Sequence, residues 1–272
     1  MPRHITAVSS PRASDLDTQR HVTSRTYESY CWEARYDVLA KHGYPMERLL
    51  EEKILLRPTS SSLRFFREQM PGARLEVHTE LLPGEDHQLV WMQEVVEADS
   101  GTAACRIITH TAVEAEGQAQ RLELAPTSTG EEAWNPEPLV AAPDTFSESC
   151  RQVTAPAVML FSERTPFFDY PLTALWRIAE EGRWYFSYEI GLDQAKILET
   201  DTVTFFTSAH FMFHRMPEPG EQMELKVWLA GVEKIRCFMR QDIYSKRDGA
   251  LLFSVNEEQL IVSLSRRRPR RA

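Results

Sequence analysis

The pattern of apolar and polar residues divides the chain into two blocks, and both blocks predict the same order of helices and strands. The first block opens with apolar residues three and four positions apart, a spacing that places them on one face of a helix. They are Tyr27, Tyr30, Cys31, Ala34 and Val38. Residues 75–82 (LEVHTELL) then alternate with the two-residue period of a half-buried strand. Residues 99–101 (DSG) predict a hairpin turn between two further strands.

The second block repeats the first at an offset of 148 residues, without a gap, so that residues 33–113 match residues 181–261. Turn residues keep their places, and so do the apolar positions of the strands. The identical pairs include Glu33/Glu181, Arg35/Arg183, Gly43/Gly191, Thr59/Thr207, Ser60/Ser208, Gly72/Gly220 and Gln93/Gln241. Because turns and apolar phase match together, we infer an internal duplication. Each copy predicts a strand, a long helix and about four antiparallel strands.

These patterns divide the chain into four segments and predict an α+β fold. We expect an N-terminal unit at 1–114, a linker at 115–150, a C-terminal unit at 151–264 and a basic tail at 265–272. The linker is rich in Pro, Glu, Ser and Thr and has no apolar period, which predicts a loop that crosses the outside of the molecule.

Composition narrows the class of protein. A chain of 272 residues with 42% hydrophobic residues can bury one large core or two ordinary ones, and its net charge of −9 argues against nucleic acid as a partner. The four cysteines show no metal-ligand spacing, there is no Gly-rich phosphate loop, and no apolar run approaches the roughly 18 residues of a membrane span. We expect a reduced, soluble, cytoplasmic protein without metal, cofactor or membrane contact.

The predicted tail departs from this acidic background. Its sequence is SRRRPRRA, with arginine at positions 266, 267, 268, 270 and 271. The simpler interpretation is a disordered, solubilising tail. The alternative is a local contact with an anion or an acidic partner.

The segment before the first helix reads DLDTQRHVTS over residues 15–24, and the helix carries Glu33-Ala34-Arg35. This segment resembles the loop D-x-D-x-x-G-H-V-N-N of the double-hotdog acyl thioesterases, in the superfamily of 4-hydroxybenzoyl-CoA and acyl-ACP thioesterases, whose helix carries an E-A-R-like segment. The resemblance implies a tandem hotdog fold. Each unit is then a long helix wrapped by an antiparallel sheet, and the two units pair as a pseudo-dimer within the chain. Homo-oligomerisation stays open. Arg20 departs from the loop pattern, as do Thr23 and Ser24.

The resemblance implies that Asp17 is the catalytic carboxylate, which activates water or attacks the thioester carbonyl. His21 would orient Asp17 or bind the carbonyl oxygen. The alternative is that Asp17 only accepts hydrogen bonds from loop amides and that Thr23 or Ser24 caps the helix.

The second unit has lost this Asp/His pair, because Thr165 stands in place of Asp17 and Asp169 in place of His21. In hotdog pairs the ligand pocket lies between the units, so Asp169 or Glu181 could complete a site from the second unit. Glu33 and Arg35 recur in both copies, which favours a structural role in which each anchors its helix.

Aromatic residues are abundant near both helices and are either ordinary core or the lining of a substrate pocket. The candidates for substrate contact are Tyr27, Trp32, Phe65, Phe168, Trp176 and Phe213. The larger number in the second copy suggests that its altered site holds a flat or long apolar part of a substrate.

Three functions fit this sequence. The first is hydrolysis of an acyl-CoA or acyl-carrier-protein thioester, at one active site at the interface of the two units. The second is a hotdog dehydratase or cyclase that acts on a β-keto, polyketide-like or aromatic biosynthetic intermediate. The third is a hotdog protein that binds a ligand or partner without catalysis. The partners expected are a small-molecule thioester or β-keto compound and, for the first function, an acyl carrier protein.

Overall fold

The computed structural model divides the chain into two compact units, and each is described by itself. The first comprises residues 1–136 and 164–173, and the second comprises residues 137–163 and 174–272. The predicted linker lies outside the described residues except for 115–124 and 150. The residues that the structure describes are 4–8, 10–17, 20–83, 87–124 and 150–271.

The first unit contains one long helix and an antiparallel sheet. In chain order its elements are β1 (His4–Val8), α1 (Ser24–Lys41), α2 (Met46–Glu51), β2 (Ile54–Phe65), β3 (Leu75–Pro83), β4 (Gln88–Glu97), β5 (Thr102–Ala115) and β6 (Gln118–Ala119). The sheet has the strand order β1-β3-β4-β5-β2, and β6 pairs with β5.

The second unit repeats this plan. Its elements are β7 (Val153–Val158), α3 (Leu172–Glu189), α4 (Gln194–Thr200), β8 (Thr202–Phe213), β9 (Gln222–Glu233), β10 (Arg236–Ser245), β11 (Leu251–Ser263) and β12 (Arg268–Pro269). The strand order is β7-β9-β10-β11-β8, and β12 pairs with β11. Each unit therefore has the predicted helix and antiparallel sheet, and the α+β prediction is confirmed.

The repeat extends to irregularities of the strands. The ladder between β2 and β5 skips Thr59, and the ladder between β8 and β11 skips Thr207. Each skipped threonine donates its hydroxyl to a carbonyl of the facing strand, 3.3 Å from His110 O and 2.9 Å from Glu258 O respectively. A bulge leaves one residue outside the ladder, and this hydrogen bond compensates for it. The recurrence of Thr-Ser in both copies therefore reflects a conserved bulge.

Local sequence signals set the ends of the long helices. Thr23 caps α1, because its hydroxyl accepts the N–H of Thr26 at 3.3 Å, in agreement with the predicted cap. Gly43 and Gly191 follow the helices with φ of 86° and 82°. This left-handed conformation favours glycine, which explains why both copies keep it.

The face of α1 that packs on the sheet is apolar, as its spacing predicts, except for one ion pair. Tyr27, Cys31, Ala34 and Val38 are buried, and Tyr30 is half-buried. Two charged residues share this face, Glu28 and Arg35, with 0% and 4% exposure. Two charges at this depth require partners, because an unpaired buried charge is costly.

Arg35 ties α1 to the first sheet. Its guanidinium contacts both carboxylate oxygens of Glu28, at 2.8 and 3.3 Å, and donates to Gln93 Oε1 at 2.7 Å and Thr109 Oγ1 at 3.0 Å. Gln93 in turn donates to Cys31 O at 2.8 Å. Burial raises the pKa of Glu28, and Arg35 opposes that shift. The predicted anchoring role of Arg35 is confirmed.

The second unit keeps the arginine and the glutamine but takes its acid from another element. Arg183 donates to Glu257 Oε1 at 3.0 Å, and Gln241 donates to Glu257 Oε1 at 2.7 Å and to Ala179 O at 2.9 Å. At the offset of 148 residues, Glu257 on β11 corresponds to Thr109, whereas the helix position of Glu28 is an apolar residue. The acid has thus moved from helix to strand.

Residues 265–271 form an ordered hairpin strand. Val262 of β11 pairs with Pro269 of β12, and the N–H of Arg270 donates to Ile261 O at 3.0 Å. The guanidinium of Arg270 also donates to Thr200 O at 2.9 Å, at the end of α4. The prediction of a disordered tail is wrong, because strand pairing and these hydrogen bonds hold the segment against the second sheet.

Candidate active site

The loop that enters α1 is closed by backbone hydrogen bonds. The N–H of Asp17 donates to His21 O at 2.8 Å, that of Arg20 donates to Asp17 O at 3.0 Å, and that of Thr23 donates to Asp15 O at 2.9 Å. Arg20 has a φ of 68°, at the position where the resembled loop has glycine. The loop therefore keeps a left-handed turn at a cost of about 1 kcal/mol for a residue with a side chain.

The two acids of this loop have different partners. Asp15 Oδ2 accepts the N–H of Arg12 at 2.7 Å and the hydroxyl of Tyr30 at 3.2 Å, which fixes the loop to α1. Asp17 faces His21, and Oδ1 accepts the N–H of His21 at 2.8 Å. Asp15 therefore acts as a structural acid, and Asp17 is the candidate for chemistry.

A third residue completes this group. His21 is buried, with Nδ1 3.8 Å from Asp17 Oδ2 and Nε2 3.3 Å from Glu68 Oε2. The loop is brought to Glu68 by a backbone hydrogen bond from Val22 to Gln69 O at 3.0 Å. No pattern in the sequence marks Glu68, which lies in an irregular segment after β2.

The imidazole of His21 thus lies between two carboxylates, while the side chain of Asp17 stays 40% exposed. A carboxylate held by an imidazole and open to water can take a proton from a water molecule. The first turn of α1 supplies the positive end of the helix dipole and the backbone N–H groups of Ser24 and Arg25, which favour a developing negative charge. The N–H of Thr26 is already bonded to Thr23.

The loop before α3 has the same backbone but different side chains. The N–H of Thr165 donates to Asp169 O at 2.9 Å, and that of Phe168 donates to Thr165 O at 3.0 Å. Phe168 has a φ of 63°, like Arg20. The Thr165 hydroxyl donates to the Asp169 carboxylate, so these residues occupy the places of Asp17 and His21, as the repeat predicts.

Asp169 is less exposed to solvent than Asp17. Burial raises the pKa of Asp169, and the hydrogen bond from Thr165 and the charge of Arg57 oppose the shift. Its charge also raises the pKa of Tyr36 on α1, after the larger effect of burial. Within the first unit, this loop contacts α1 through Phe167, whose ring stacks on that of Tyr36 at 6.3 Å.

A small cavity lies beside this loop in the first unit. Its volume is about 270 Å³, including space open to solvent, and it is lined in part by Trp32, Tyr36, Leu56 and Leu172. Arg35 and Thr109 of the anchor also line it. Of the predicted substrate contacts, Trp32 borders this cavity.

The other predicted contacts take different places. Tyr27 is buried, and its ring lies 5.4 Å from that of Phe65 in the first unit. Phe168 is 75% exposed. In the second unit, Trp176 and Phe213 flank one ring, that of Phe211, at 5.3 and 6.0 Å.

Glu181 lies on the exposed side of α3, and its counterpart Glu33 is exposed on α1. A catalytic role for Glu181 or Asp169 stays a prediction.

Over the described ranges, His, Cys, Asp and Glu side chains form no group of three or more that could hold a metal ion. Among those same residues, no helix has both the length and the apolar character needed to cross a membrane.

Comparisons with solved structures find proteins of a similar fold. The chain is similar to a putative oleoyl thioesterase from Lactobacillus plantarum, with a TM-score of 0.68, 12% identity and 96% of both chains covered. It is also similar to the 12:0-ACP thioesterase from Umbellularia californica, with a TM-score of 0.66, 8% identity and coverage of 96% of this chain and 98% of that one. A third similar structure is an acyl-ACP thioesterase from Bacteroides thetaiotaomicron, with a TM-score of 0.64, 10% identity and coverage of 95% of this chain and 98% of that one.

At these identities the likeness shows the fold, and it confirms the predicted tandem hotdog. By sequence, no curated protein matches the chain. The Thioesterase-like superfamily matches residues 11–133 and 173–272, which is most of the chain and includes the loop with Asp17 and His21. The chain therefore belongs to the thioesterase-like superfamily, as the resemblance of its loop and helix predicted, and is a hydrolase of that family.

Proposed function

We propose that this protein hydrolyses acyl thioesters and that Asp17 is its catalytic base. The observation that carries the proposal is the group formed by Asp17, His21 and Glu68 at the entry to α1. This group falls within the part of the chain that matches the family, and the second loop does not repeat it.

In the proposed reaction, the Asp17 carboxylate takes a proton from water as the water oxygen attacks the thioester carbonyl carbon. The carbonyl oxygen becomes negative, and backbone N–H groups at the start of α1 stabilise it. The intermediate then collapses, the carbon–sulfur bond breaks, and the proton passes from Asp17 to the leaving sulfur. The products are a carboxylic acid and a thiol, and Asp17 is again a carboxylate.

His21 and Glu68 act on the carboxylate rather than on the substrate. His21 holds Asp17 through its backbone N–H at 2.8 Å and faces the second oxygen through its ring. Glu68 fixes the other ring nitrogen at 3.3 Å. Held in this way, the base needs little reorganisation when the proton moves.

The substrate class that we propose is an acyl group on coenzyme A or on an acyl carrier protein. The support comes from relatives of the same fold, which are named as oleoyl and acyl-ACP thioesterases. The sharing of one active site by the two units stays a prediction.

The test is thiol release from a panel of acyl-CoA and acyl-carrier-protein thioesters. We expect Asp17→Asn to lower kcat by about 10²–10⁴-fold, because it removes the base. Asp15→Asn is the matched control, since it changes a carboxylate two residues away that accepts hydrogen bonds from the N–H of Arg12 and the hydroxyl of Tyr30.

Two outcomes would overturn the proposal. Full turnover by Asp17→Asn would show that another group is the base. Absence of thiol release from every thioester, with the wild-type protein folded, would rule out hydrolysis. A dehydratase or cyclase would then be sought by the appearance of a dehydrated or cyclised product from a β-keto substrate, and a binding protein by its absence.

A further inference from the structure

A cluster of arginines lies on one hairpin of the second unit of this acidic protein. We define the arginine hairpin as residues 264–271, which include β12 and the turn before it. It carries five arginines, whereas the whole chain has a net charge of −9. Like charges packed this densely repel one another, so their presence requires a reason.

The fold does not supply that reason. The first unit has a corresponding hairpin with a turn two residues shorter, in which the N–H of Gln120 donates to Val113 O at 2.9 Å as that of Arg270 does to Ile261 O at 3.0 Å. Its strand β6 is Gln-Ala, whereas β12 is Arg-Pro. The element therefore forms without a cluster of arginines, and the cluster is additional to what the hairpin needs.

Two of the five arginines have structural contacts. Arg270 donates to Thr200 O and Thr202 Oγ1, at 2.9 and 2.8 Å, and Arg267 lies over the ring of Phe205. The remaining three, Arg266, Arg268 and Arg271, are exposed. Among the described residues, no acid forms an ion pair with any of these three. Their charges are therefore available to a partner.

The distribution of these charges favours a macromolecular partner. They extend from the turn to the end of the hairpin on an exposed surface, so they suit a broad acidic face better than one phosphate group. The rest of the chain is more acidic than the total of −9 suggests, because that total already includes the five arginines. An acidic partner would be repelled elsewhere and drawn to this hairpin.

We infer that the arginine hairpin is the docking site for an acidic acyl carrier protein that presents the thioester. The inference rests on the proposed function for the identity of the partner. It deepens that function, because it assigns recognition of the carrier to the second unit and leaves the thioester chemistry with Asp17.

The first test measures binding without turnover. A fluorescently labelled bacterial acyl carrier protein, carrying an octanoyl group, is titrated with the Asp17→Asn protein and followed by anisotropy. Adding R266A/R268A/R271A is expected to weaken binding of the carrier by about tenfold or more. Raising the salt concentration is expected to weaken binding of the carrier by the protein with the unaltered hairpin.

The matched control is R74A/R121A/R151A, which removes three exposed arginines from other surfaces and changes the net charge equally. It is expected to weaken binding by less than about twofold. The triple lysine variant R266K/R268K/R271K keeps the charge, and binding within about threefold of the parent would exclude an effect of local unfolding.

The second test compares two substrates in the otherwise wild-type protein. R266A/R268A/R271A is expected to raise KM for octanoyl-carrier protein about tenfold, with kcat and all constants for octanoyl-CoA unchanged. If no thioester is hydrolysed but carrier binding depends on the hairpin, the proposed function fails and the docking site stands.

Equal weakening by the control triple variant would overturn the inference, as would an equal loss of activity with octanoyl-CoA. Binding of anionic phosphatidylglycerol vesicles or duplex DNA through the same arginines, with no binding of the carrier protein, would also overturn it. Those outcomes would assign the hairpin to a membrane surface or to nucleic acid.

Discussion

The two loops that enter α1 and α3 share a backbone and differ in chemistry. The first loop is counted from Asp17 to His21 and the second from Thr165 to Asp169. In each, the N–H of the first residue donates to the carbonyl of the fifth, and the residue before the fifth has a left-handed φ. The first loop places an acid first and a histidine fifth, and the second places a threonine first and an acid fifth. Loop shape therefore does not determine which copy can activate water, because the side chains at these two positions do.

The hydrogen-bonded anchors that tie α1 and α3 to their own sheets show the reverse relation. Arg35 and Gln93 have exact counterparts in Arg183 and Gln241, yet the acid that completes the anchor differs in position. The function of the anchor is kept while its residues change. In the loops the residues change and the chemistry changes with them. Substitutions at equivalent positions of the two copies can separate these cases.

The largest contrast is expected between the acids of the two loops. Asp17→Asn removes the proposed base and should lower kcat by about 10²–10⁴-fold. Asp169→Asn should leave kcat within about threefold, because its partner is a hydroxyl rather than an imidazole. Steady-state thiol release measures both. Equal losses of kcat would show that the second loop takes part in the reaction and that the two loops do not differ in catalysis.

The next contrast concerns the anchor acids. Glu28→Gln leaves Arg35 buried without a carboxylate and should lower the free energy of unfolding by about 3–5 kcal/mol. Glu257→Gln should cost less, about 1–3 kcal/mol, because the Arg183 side chain is 18% exposed and also lies over the ring of Phe206. Urea unfolding, with hydrogen exchange to locate the loss, checks both. A larger loss from Glu257→Gln would contradict this order.

A smaller contrast is expected at one helix position. A Cβ on Gly182 would overlap Gln241 Oε1, so Gly182→Ala should destabilise the protein by about 1–3 kcal/mol. Its counterpart Ala34 already has a Cβ in the first unit, and Ala34→Gly should cost about 1 kcal/mol through helix propensity. Thermal unfolding of both variants tests this. Stabilisation by Gly182→Ala would show that α3 can move away from its sheet.

The smallest effect should appear as a pH dependence of Asp169. Burial raises its pKa above the usual value of an aspartate, so the folded protein favours the protonated carboxyl. The stability that the protonated Asp169 contributes is fully present below the pKa of the unfolded state, and it is lost as pH rises through the pKa of the folded state. The Tm of wild type relative to Asp169→Asn should therefore fall as pH rises from about 4 to 7. Thr165→Ala removes the hydrogen bond that favours the charged form of Asp169, so it should make this fall in Tm with pH steeper. A difference in Tm that does not change with pH would contradict it.

Much of the scaffold could be predicted because short-range rules determine it. The buried face of α1, the Thr23 cap and the glycines after both long helices follow from spacing and from φ preferences. Repetition also marked Arg35 as an anchor. These features depend on neighbours along the chain or on comparison at one fixed offset.

Other features depend on contacts that the offset does not preserve. Glu28 and Glu257 do the same work at positions that do not correspond, so comparison of the copies could not pair them. Glu68 reaches His21 only because Val22 bonds to Gln69 across two loops. The arginine hairpin was predicted to be disordered from its composition, yet its order comes from pairing with β11.

The displaced anchor acid also limits how sequences of this kind can change. A chain that lost Glu28 before gaining an acid on the strand would bury an unpaired guanidinium, and a chain that held both would crowd two carboxylates around it. Of these two intermediates, the second keeps the arginine neutralised. Any stepwise exchange between the two arrangements would therefore pass more easily through gain before loss, and a hybrid protein should combine whole units rather than single residues.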